Sequence, residues 1–308
     1  MSKIQEALKK IQAARTVGLP LRSRTEEVVE QVASLVPQMQ VKTSEQSDPE
    51  ATVTLPERIV QFDDQALRDA GLLAPADDQD MLDGDYRNIK RPLVAHALGK
   101  RATKIPDGHL IMVTSAMPGE GKTFSCINLS LSISQEKDTT VLLVDADLAK
   151  PHITSLFGLQ DEYGLLDVLD ETVPDLESVI FDTSIAGLKI LPAGRPREHA
   201  TELLASQRME KIVTELGAGG VNRIVLFDSP PLLLTSEAKV LASLVGQIAV
   251  VVKAGDTPQQ AVIEAISMLP EGKAANLILN QVRQSGYGGY YGSGSKYGYG
   301  QPYGSNKE

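Results

Sequence analysis

The chain has 308 residues, of which 42% are hydrophobic and 23% charged, as expected for one or two globular domains. Its formal net charge of −10 argues against a general binder of nucleic acid or of anionic membranes. The single cysteine, Cys126, excludes an intramolecular disulfide bond and is compatible with a reducing compartment. Residues 1–15 lack the apolar core of a secretory signal, and no apolar run has the length of a membrane span. We therefore predict a cytoplasmic protein that lies at the inner face of the cell membrane only through a partner.

The N-terminal region, residues 1–83, is predicted to be weakly ordered apart from one helix. Ile4, Leu8 and Ile11 recur at helical spacing among charged residues, which predicts a short amphipathic helix. Such a helix either packs on its own protein or docks onto a partner, and the pattern favours neither. The segment that follows, residues 15–80, contains polar, acidic, proline-containing stretches that are typical of linkers.

A globular domain is predicted over residues 84–283. It opens with the helical pattern "DYRNIKRPLVAHAL", in which Pro92 predicts a kink or a division into two short helices. Six short apolar runs then alternate with helical runs, which predicts an α/β fold with a mostly parallel sheet and helices on both faces. The strands are almost entirely apolar, so both faces of the sheet should be buried. The predicted strands lie within residues 109–116, 139–147, 188–193, 222–230, 247–255 and 275–282.

The C-terminal residues, 284–308, form a glycine- and tyrosine-rich tail that we predict to be disordered. The chain has eight tyrosines and no tryptophan, yet most of its tyrosines are gathered where they cannot pack in a core. They are Tyr287, Tyr290, Tyr291, Tyr297, Tyr299 and Tyr303.

The segment "VTSAMPGEGKTFSCINLS" has the spacing of a phosphate-binding loop between a strand and a helix. Ala116 stands where the motif has its first glycine, and Gly121, Lys122 and Thr123 complete it. Gly119 and Gly121 allow backbone amides to converge on phosphate oxygens at a helix N-terminus. Lys122 is expected to bridge the terminal phosphates, and the Thr123 hydroxyl to bind Mg²⁺.

Three acidic residues follow apolar strands in the predicted sheet. Asp145 and Asp147 end "VLLVDAD", and Asp228 ends "RIVLFD". Because ligands bind at the carboxyl edge of a parallel sheet, we expect the three carboxylates beside the phosphates. We predict that Mg²⁺ is bound by Thr123, Asp145, Asp147 and Asp228, either directly or through a bound water molecule. Lys122 and the three acids are the predicted catalytic residues; either Asp145 or Asp147 takes a proton from the attacking hydroxyl.

Together, "SAMPGEGKT", "LLVDADLAKP" and "IVLFDSPP" resemble the Walker A, A′ and B motifs of the bacterial tyrosine autokinases, or BY-kinases. "LPAGRPREHATELLASQRM" also resembles that family, and the similarity spans roughly residues 84–308. "DYRNIKRPL" and "MSKIQEALKKI" are more similar to the stand-alone autokinases encoded with exosortase and exopolysaccharide loci.

The resemblance implies an ATP- and Mg²⁺-dependent protein-tyrosine kinase whose subunits form a ring and phosphorylate each other's tail tyrosines. It also implies two partners, a membrane-embedded polysaccharide co-polymerase or chain-length determinant and a cognate tyrosine phosphatase, with a role in exopolysaccharide polymerisation or export. The six tail tyrosines become the predicted autophosphorylation sites. The predicted nucleotide-binding residues are Pro118, Gly119, Glu120, Gly121, Lys122, Thr123, Phe124 and, because relatives contact the adenine there, Asn280.

The chain departs from the family at its predicted oligomer interface. Where the family has Glu-x-x-Arg-x-x-Arg, this chain has Gly84, Arg87 and Lys90, with Asp85 as a substitute acid. We predict Arg87 and Lys90 as interface residues, without a ring size. After the Walker A′ acids, the family's arginine is replaced by the pair at residues 149–150, alanine and lysine.

Two alternative functions share the predicted fold. Partition and septum-placement ATPases have the same loop but carry a lysine five residues before Lys122, where this chain has Met117. They also have no use for a tyrosine tail. A scaffold that binds nucleotide without chemistry is the other alternative, against which the intact Lys122 and acidic residues argue.

Overall fold

The computed structural model describes residues 59–99, 105–197, 199–220 and 222–282. The chain divides into two units, Met1–Leu55 and Pro56–Glu308, and all described residues belong to the second. The predicted N-terminal helix and the predicted tyrosine-rich tail lie outside the described residues. The division of the chain at residues 83 and 283 stays a prediction.

The described residues build one eight-stranded sheet in the order β1-β4-β5-β3-β6-β2-β7-β8. All neighbouring strands are parallel except β4 and β5, which are antiparallel. The predicted mostly parallel sheet is therefore confirmed. The strands are β1 Ile59–Val60, β2 Leu110–Ser115, β3 Thr140–Asp145, β4 Phe181–Thr183, β5 Leu188–Leu191, β6 Arg223–Asp228, β7 Gln247–Lys253 and β8 Ala274–Asn280.

Helices cover both faces of this sheet, as the apolar strands predict. One face packs on α2, α3 and α4, and the other on α5, α7, α8 and α9. Among the described residues, no helix is both long and apolar enough to cross a lipid bilayer. The helices are α1 Asp64–Asp69, α2 Gln79–Ala97, α3 Lys122–Ser134, α4 His152–Leu156, α5 Leu165–Leu169, α6 Ala200–Leu204, α7 Gln207–Ala218, α8 Ser236–Leu244 and α9 Gln259–Ser267.

The edge strand β8 departs from the expected burial on both faces. Ile278 is buried against the α3 side of the sheet, whereas Leu277 and Leu279 are 58% and 60% exposed. Side chains alternate between the two faces of a strand, so a strand covered on one face only shows this pattern. The strands β2 and β6, in the centre of the sheet, are buried throughout.

The segment before the phosphate loop differs from its prediction in two respects. Pro92 lies inside one continuous helix, α2, so the predicted division into two short helices is wrong, while the alternative of a kink stays a prediction. Leu93 and Val94 are buried in the core, so packing outweighs the hydrogen bond that proline removes. The predicted domain boundary at residue 84 falls inside α2, and β1 and α1 lie within the segment expected to be weakly ordered.

Candidate active site

The phosphate loop connects the buried strand β2 to helix α3, as predicted. Gly119 and Gly121 adopt left-handed backbone conformations, with φ of 78° and 92°. A Cβ atom at Gly121 would lie 2.0 Å from Asn280 Nδ2, so only glycine fits this position. Gly121 is the N-cap of α3 and supplies no side chain to the first turn. The amides of that turn are therefore available to phosphate oxygens.

Glu120 holds the loop in this conformation from the inside. Its side chain is buried and accepts hydrogen bonds from the Met117 amide at 2.7 Å and from the Thr257 hydroxyl. Thr257 lies just beyond the end of β7 and in turn accepts a hydrogen bond of 3.1 Å from the amide of Lys253, the last residue of that strand. Glu120 can therefore contact a nucleotide through its backbone only. Sequence reasoning missed Thr257, since no local motif marks a contact that spans 137 residues.

Asn280 lies at the phosphate loop, where its side chain makes two hydrogen bonds. Its Nδ2 donates to the Glu120 carbonyl at 2.9 Å, and its Oδ1 accepts from the Gln281 amide at 2.9 Å. The end of β8 is thereby tied to the loop. The predicted contact of Asn280 with adenine stays a prediction.

Three acidic residues meet beside the loop because β3, β6 and β2 are neighbours. Asp145 and Asp228 occupy the last positions of their strands, are partners in register and are fully buried. Asp228 Oδ2 accepts a hydrogen bond of 2.7 Å from the Thr123 hydroxyl. Asp147 Oδ2 lies 3.1 Å from Lys122 Nζ. The four predicted catalytic residues thus share one site with Thr123.

Thr154, on α4, orients Asp145 and was not anticipated from the sequence. Its amide and hydroxyl both donate to Asp145 Oδ2, at 2.8 and 2.7 Å. The same hydroxyl accepts a hydrogen bond from the Ala193 amide at 2.9 Å, just past β5. One carboxylate oxygen of Asp145 is therefore fixed and the other is left for a ligand.

Burial changes the acidity of the two strand-end carboxyls. It raises the pKa of Asp228 to about 8, and the neighbouring charge of Asp145 adds to the shift. Burial also raises the pKa of Asp145 to about 6, although the hydrogen bonds from Thr154 oppose the shift. A cation bound between these groups would reverse both shifts, because it stabilises the charged carboxylates.

Two buried oxygens indicate where a divalent cation fits. Asp145 Oδ1 and Asp228 Oδ1 have no hydrogen-bond partner within the described part of the chain. Carboxylate oxygens are the ligands that Mg²⁺ prefers, and buried oxygens without a partner are costly. The described residues hold no cluster of three acidic, histidine or cysteine side chains that could bind a metal alone. A Mg²⁺ ion here would draw its remaining ligands from the Thr123 hydroxyl, water and phosphates, as this ion commonly does.

The remaining predicted site residues lie in different settings. Pro118 is exposed on the loop, whereas the Phe124 ring packs inward, edge-on to Tyr86. Phe124 can therefore reach a phosphate only through its backbone. The six predicted tail tyrosines lie outside the described residues.

The two residues predicted at an oligomer interface have opposite environments on α2. Arg87 is exposed. Lys90 is buried, and its Nζ lies 2.5 Å from the Ser132 carbonyl and 2.9 Å from Glu136 Oε1. The Lys90 ammonium thus binds the end of α3, where a cation also interacts favourably with the helix dipole. An interface role for Lys90 stays a prediction, and these contacts do not favour it.

Comparison with known proteins yields several similar kinases. The tyrosine-protein kinase YwqD of Bacillus subtilis (strain 168) is 32% identical over 187 residues, which cover 59% of this chain and 77% of that protein. The tyrosine-protein kinase Wzc of Salmonella typhimurium is 30% identical over 189 residues, but this chain spans only 26% of its length. The crystal structure of the VpsO kinase domain is 29% identical with a TM-score of 0.57 and is matched over its whole length by 68% of this chain. No protein-family model matches the chain.

Proposed function

This chain belongs to the bacterial tyrosine-protein kinase family, and from that premise we propose that it transfers the γ-phosphoryl group of ATP to tyrosines of its own C-terminal tail. The observation that carries the proposal is the position of β8. Asn280, the last residue of that strand, is hydrogen-bonded to the phosphate loop. Asn280 precedes the tail, residues 284–308, by four residues, so the last described strand ends beside the site where phosphoryl transfer would occur.

The arrangement accounts for the chemistry of the transfer. The tyrosine Oη attacks the γ-phosphorus, the bond to the β–γ bridging oxygen breaks, ADP leaves, and the phenolic proton passes to Asp145 or Asp147. Lys122 and the amides of the first turn of α3 bind phosphate oxygens and stabilise the developing charge. Mg²⁺, held by Asp228, the Thr123 hydroxyl and whichever of Asp145 and Asp147 does not take the proton, would supply further neutralisation of the phosphates.

The direct test is incubation of the purified chain with Mg-ATP, followed by phosphotyrosine detection and mass spectrometry. We expect phosphate on tyrosines within residues 284–308 and no phosphotyrosine signal after deletion of that segment. If phosphate were released into solution while the protein stayed unlabelled, the chain would be an ATPase and the proposal would be wrong. The absence of lysine at Met117 already argues against a partition-type ATPase.

We expect the transfer to occur between subunits. A chain carrying Lys122→Met cannot phosphorylate itself, and a chain lacking residues 284–308 has no acceptor tyrosines. When the two chains are mixed, phosphotyrosine can therefore form only by transfer from one chain to the other. Phosphotyrosine on the Lys122→Met chain is the expected result, measured after separation of the two chains by size. A mixture that stays unlabelled, while the wild-type chain labels itself, would show that the transfer is intramolecular.

The cellular setting is proposed from the sequence resemblance alone. We propose a homo-oligomer of ring form, at the cytoplasmic face of the membrane, bound to a membrane-embedded polysaccharide co-polymerase and opposed by a tyrosine phosphatase. The exposed Arg87 on α2 is available for a contact between subunits. Support for the polysaccharide role comes from the similarity of "DYRNIKRPL" and the N-terminal segment to exopolysaccharide-associated autokinases.

A further inference from the structure

Two bulky apolar side chains are exposed beside the phosphate loop. Met117 is 43% exposed, and Leu234 is 64% exposed, the largest exposure of any bulky apolar side chain in the described residues. The neighbouring Leu232, by contrast, is fully buried. Single exposed apolar residues are common, whereas exposed apolar residues that are grouped near a catalytic site are typical of a binding surface.

Backbone hydrogen bonds bring the segments that carry the two residues together. The Leu232 amide donates to the Ser115 carbonyl at 2.8 Å, and the Leu233 amide donates to the Ala116 carbonyl at 3.3 Å. The two segments therefore adjoin each other at these residues, and Met117 and Leu234 follow next along their segments. We refer to Met117 and Leu234 together as the acceptor platform.

The backbone of Met117 is fixed on both sides. Its amide donates to Glu120 Oε2 at 2.7 Å, and its carbonyl accepts from Ser115 Oγ at 2.7 Å. The loop thus holds the Met117 side chain outside the core, in which Glu120 is buried instead. These two bonds hold the Met117 backbone in the loop conformation in which its side chain is exposed.

The acceptor platform lies on the segments that carry the reacting groups. Met117 belongs to the loop that ends at Lys122, and Leu234 lies six residues after Asp228, whose carboxylate binds Thr123. A group resting on the platform therefore sits at the same sheet edge as the γ-phosphate. The other exposed leucines, Leu277 and Leu279, lie on the edge strand β8, whose end is joined to the loop through the side chain of Asn280.

We propose that the acceptor platform binds the aromatic ring of a tail tyrosine from a second copy of this chain and so selects tyrosine as the acceptor. The inference rests on the proposed function and adds to it a recognition site for the acceptor. Methionine and leucine pack well against aromatic rings, and methionine sulfur gains a further favourable contact. A serine or threonine side chain is too short to cover such a surface and to reach the phosphate at the same time.

The tail matches this surface in composition and reach. Between Ser285 and Gly304 its apolar groups are almost solely tyrosine rings, and glycines beside them add no competing bulk. The tail follows the last described residue, Val282, at the phosphate-loop edge. As a flexible coil its residues span about 25–30 Å, and fully extended about 80–90 Å, which is enough to reach a neighbouring subunit.

Acceptor kinetics test the proposal on full-length chains. The acceptor is the Lys122→Met chain with a size tag, and the donor is the wild-type chain or the variant Met117→Gln/Leu234→Gln at catalytic concentration. We expect the KM for the acceptor chain to rise about 10-fold in the double variant and about 3-fold in each single variant. The KM for ATP, at saturating acceptor, should change less than about 3-fold. The matched control Leu277→Gln removes an equally exposed leucine and should leave both KM values unchanged.

A competition experiment tests recognition of the ring directly. A Lys122→Met chain with all six tail tyrosines replaced by phenylalanine keeps the rings but cannot accept phosphate. It should inhibit labelling of the tyrosine acceptor competitively, with a Ki at least about 5-fold below that of the same chain carrying six alanines. Equal inhibition by the two chains would overturn the proposal.

Failure of the proposal and failure of the proposed function give different results. If the wild-type donor labels the acceptor but the double variant has an unchanged KM for it, tyrosine is not bound by the acceptor platform. If the wild-type donor labels no tyrosine at all, the proposed function fails first and the platform with it. A melting temperature of the double variant equal to that of the wild-type chain would show that a raised KM reflects lost recognition and not lost folding.

Discussion

Lys122→Met lowers the rate of tyrosine phosphorylation by at least about 100- to 1,000-fold, the expected cost of removing one preorganised group that stabilises transition-state charge. Lys122 is the first residue of α3, and its Nζ lies 3.1 Å from Asp147 Oδ2 at the mouth of the phosphate loop. Methionine matches lysine in length but carries no charge, so the phosphates lose their cationic partner. The measurement is the initial rate of phosphotyrosine formation with radiolabelled ATP.

The control for this variant is Lys137→Met, which makes the same chemical change at an exposed position after α3. It should label at the wild-type rate. Thermal unfolding of both variants identifies any loss of folding, since Lys122→Met leaves the buried Asp147 without its cation. A folded Lys122→Met chain that labels normally would place the reaction at another site.

Asp228→Asn is expected to have opposite effects on activity and stability. Activity should fall by at least about 100-fold, because the carboxylate oxygen that faces the cation site is lost. The metal-free protein should become more stable by about 1–3 kcal/mol at pH 8, because a buried carboxyl without a partner for Oδ1 is replaced by a neutral amide. The amide oxygen can still accept the hydrogen bond from Thr123.

The pH dependence of this stabilisation follows from the raised pKa of Asp228. In the folded chain that pKa is about 8, compared with 3.8 as its usual value, so folding binds a proton between these pH values. The stability that protonated Asp228 contributes is complete below about pH 4 and is lost as the pH rises to about 8. The Asn variant lacks this loss, so its advantage in melting temperature should grow from pH 5 to pH 8.

Thermal unfolding in the presence of a chelator measures the difference, at about 2–4 °C per kcal/mol for a domain of this size. The exposed Asp161 supplies the control, since Asp161→Asn should follow the wild-type pH profile. A constant difference between Asp228→Asn and the wild-type chain at every pH would contradict a raised pKa of Asp228. A loss of stability at pH 8 would contradict the cost assigned to its burial.

Much of the fold was predictable because its signals are local. The six predicted strands are continuous apolar runs, and each begins within one residue of its predicted start. The two missed strands, β1 and β4, have only two and three residues, and their pairing is decided by contacts with distant segments. Pro92 shows the reverse case, because α2, which packs on the sheet, continues through a residue that often ends a helix.

The phosphate loop and the acidic strand ends were likewise readable from the amino-acid sequence alone. Gly119, Gly121 and Lys122 have their roles in a turn of a few residues, where backbone conformation and a helix N-terminus act locally. The tyrosine-rich tail was recognisable from its amino-acid composition. What these patterns determine is the class of chemistry, namely phosphoryl transfer from a nucleotide at a sheet edge.

Only the tertiary structure decided which groups face each other across that edge. The strand order places Asp145 in register with Asp228, Thr257 on Glu120, and Asn280 against Gly121. It also buries Lys90 and leaves Leu234 and Met117 exposed on adjoining segments, none of which a local pattern distinguishes. The physical reason is that burial and hydrogen bonding depend on segments that are separated by 42 to 160 residues. Their proximity is set by packing of the whole sheet and by no property of either segment alone.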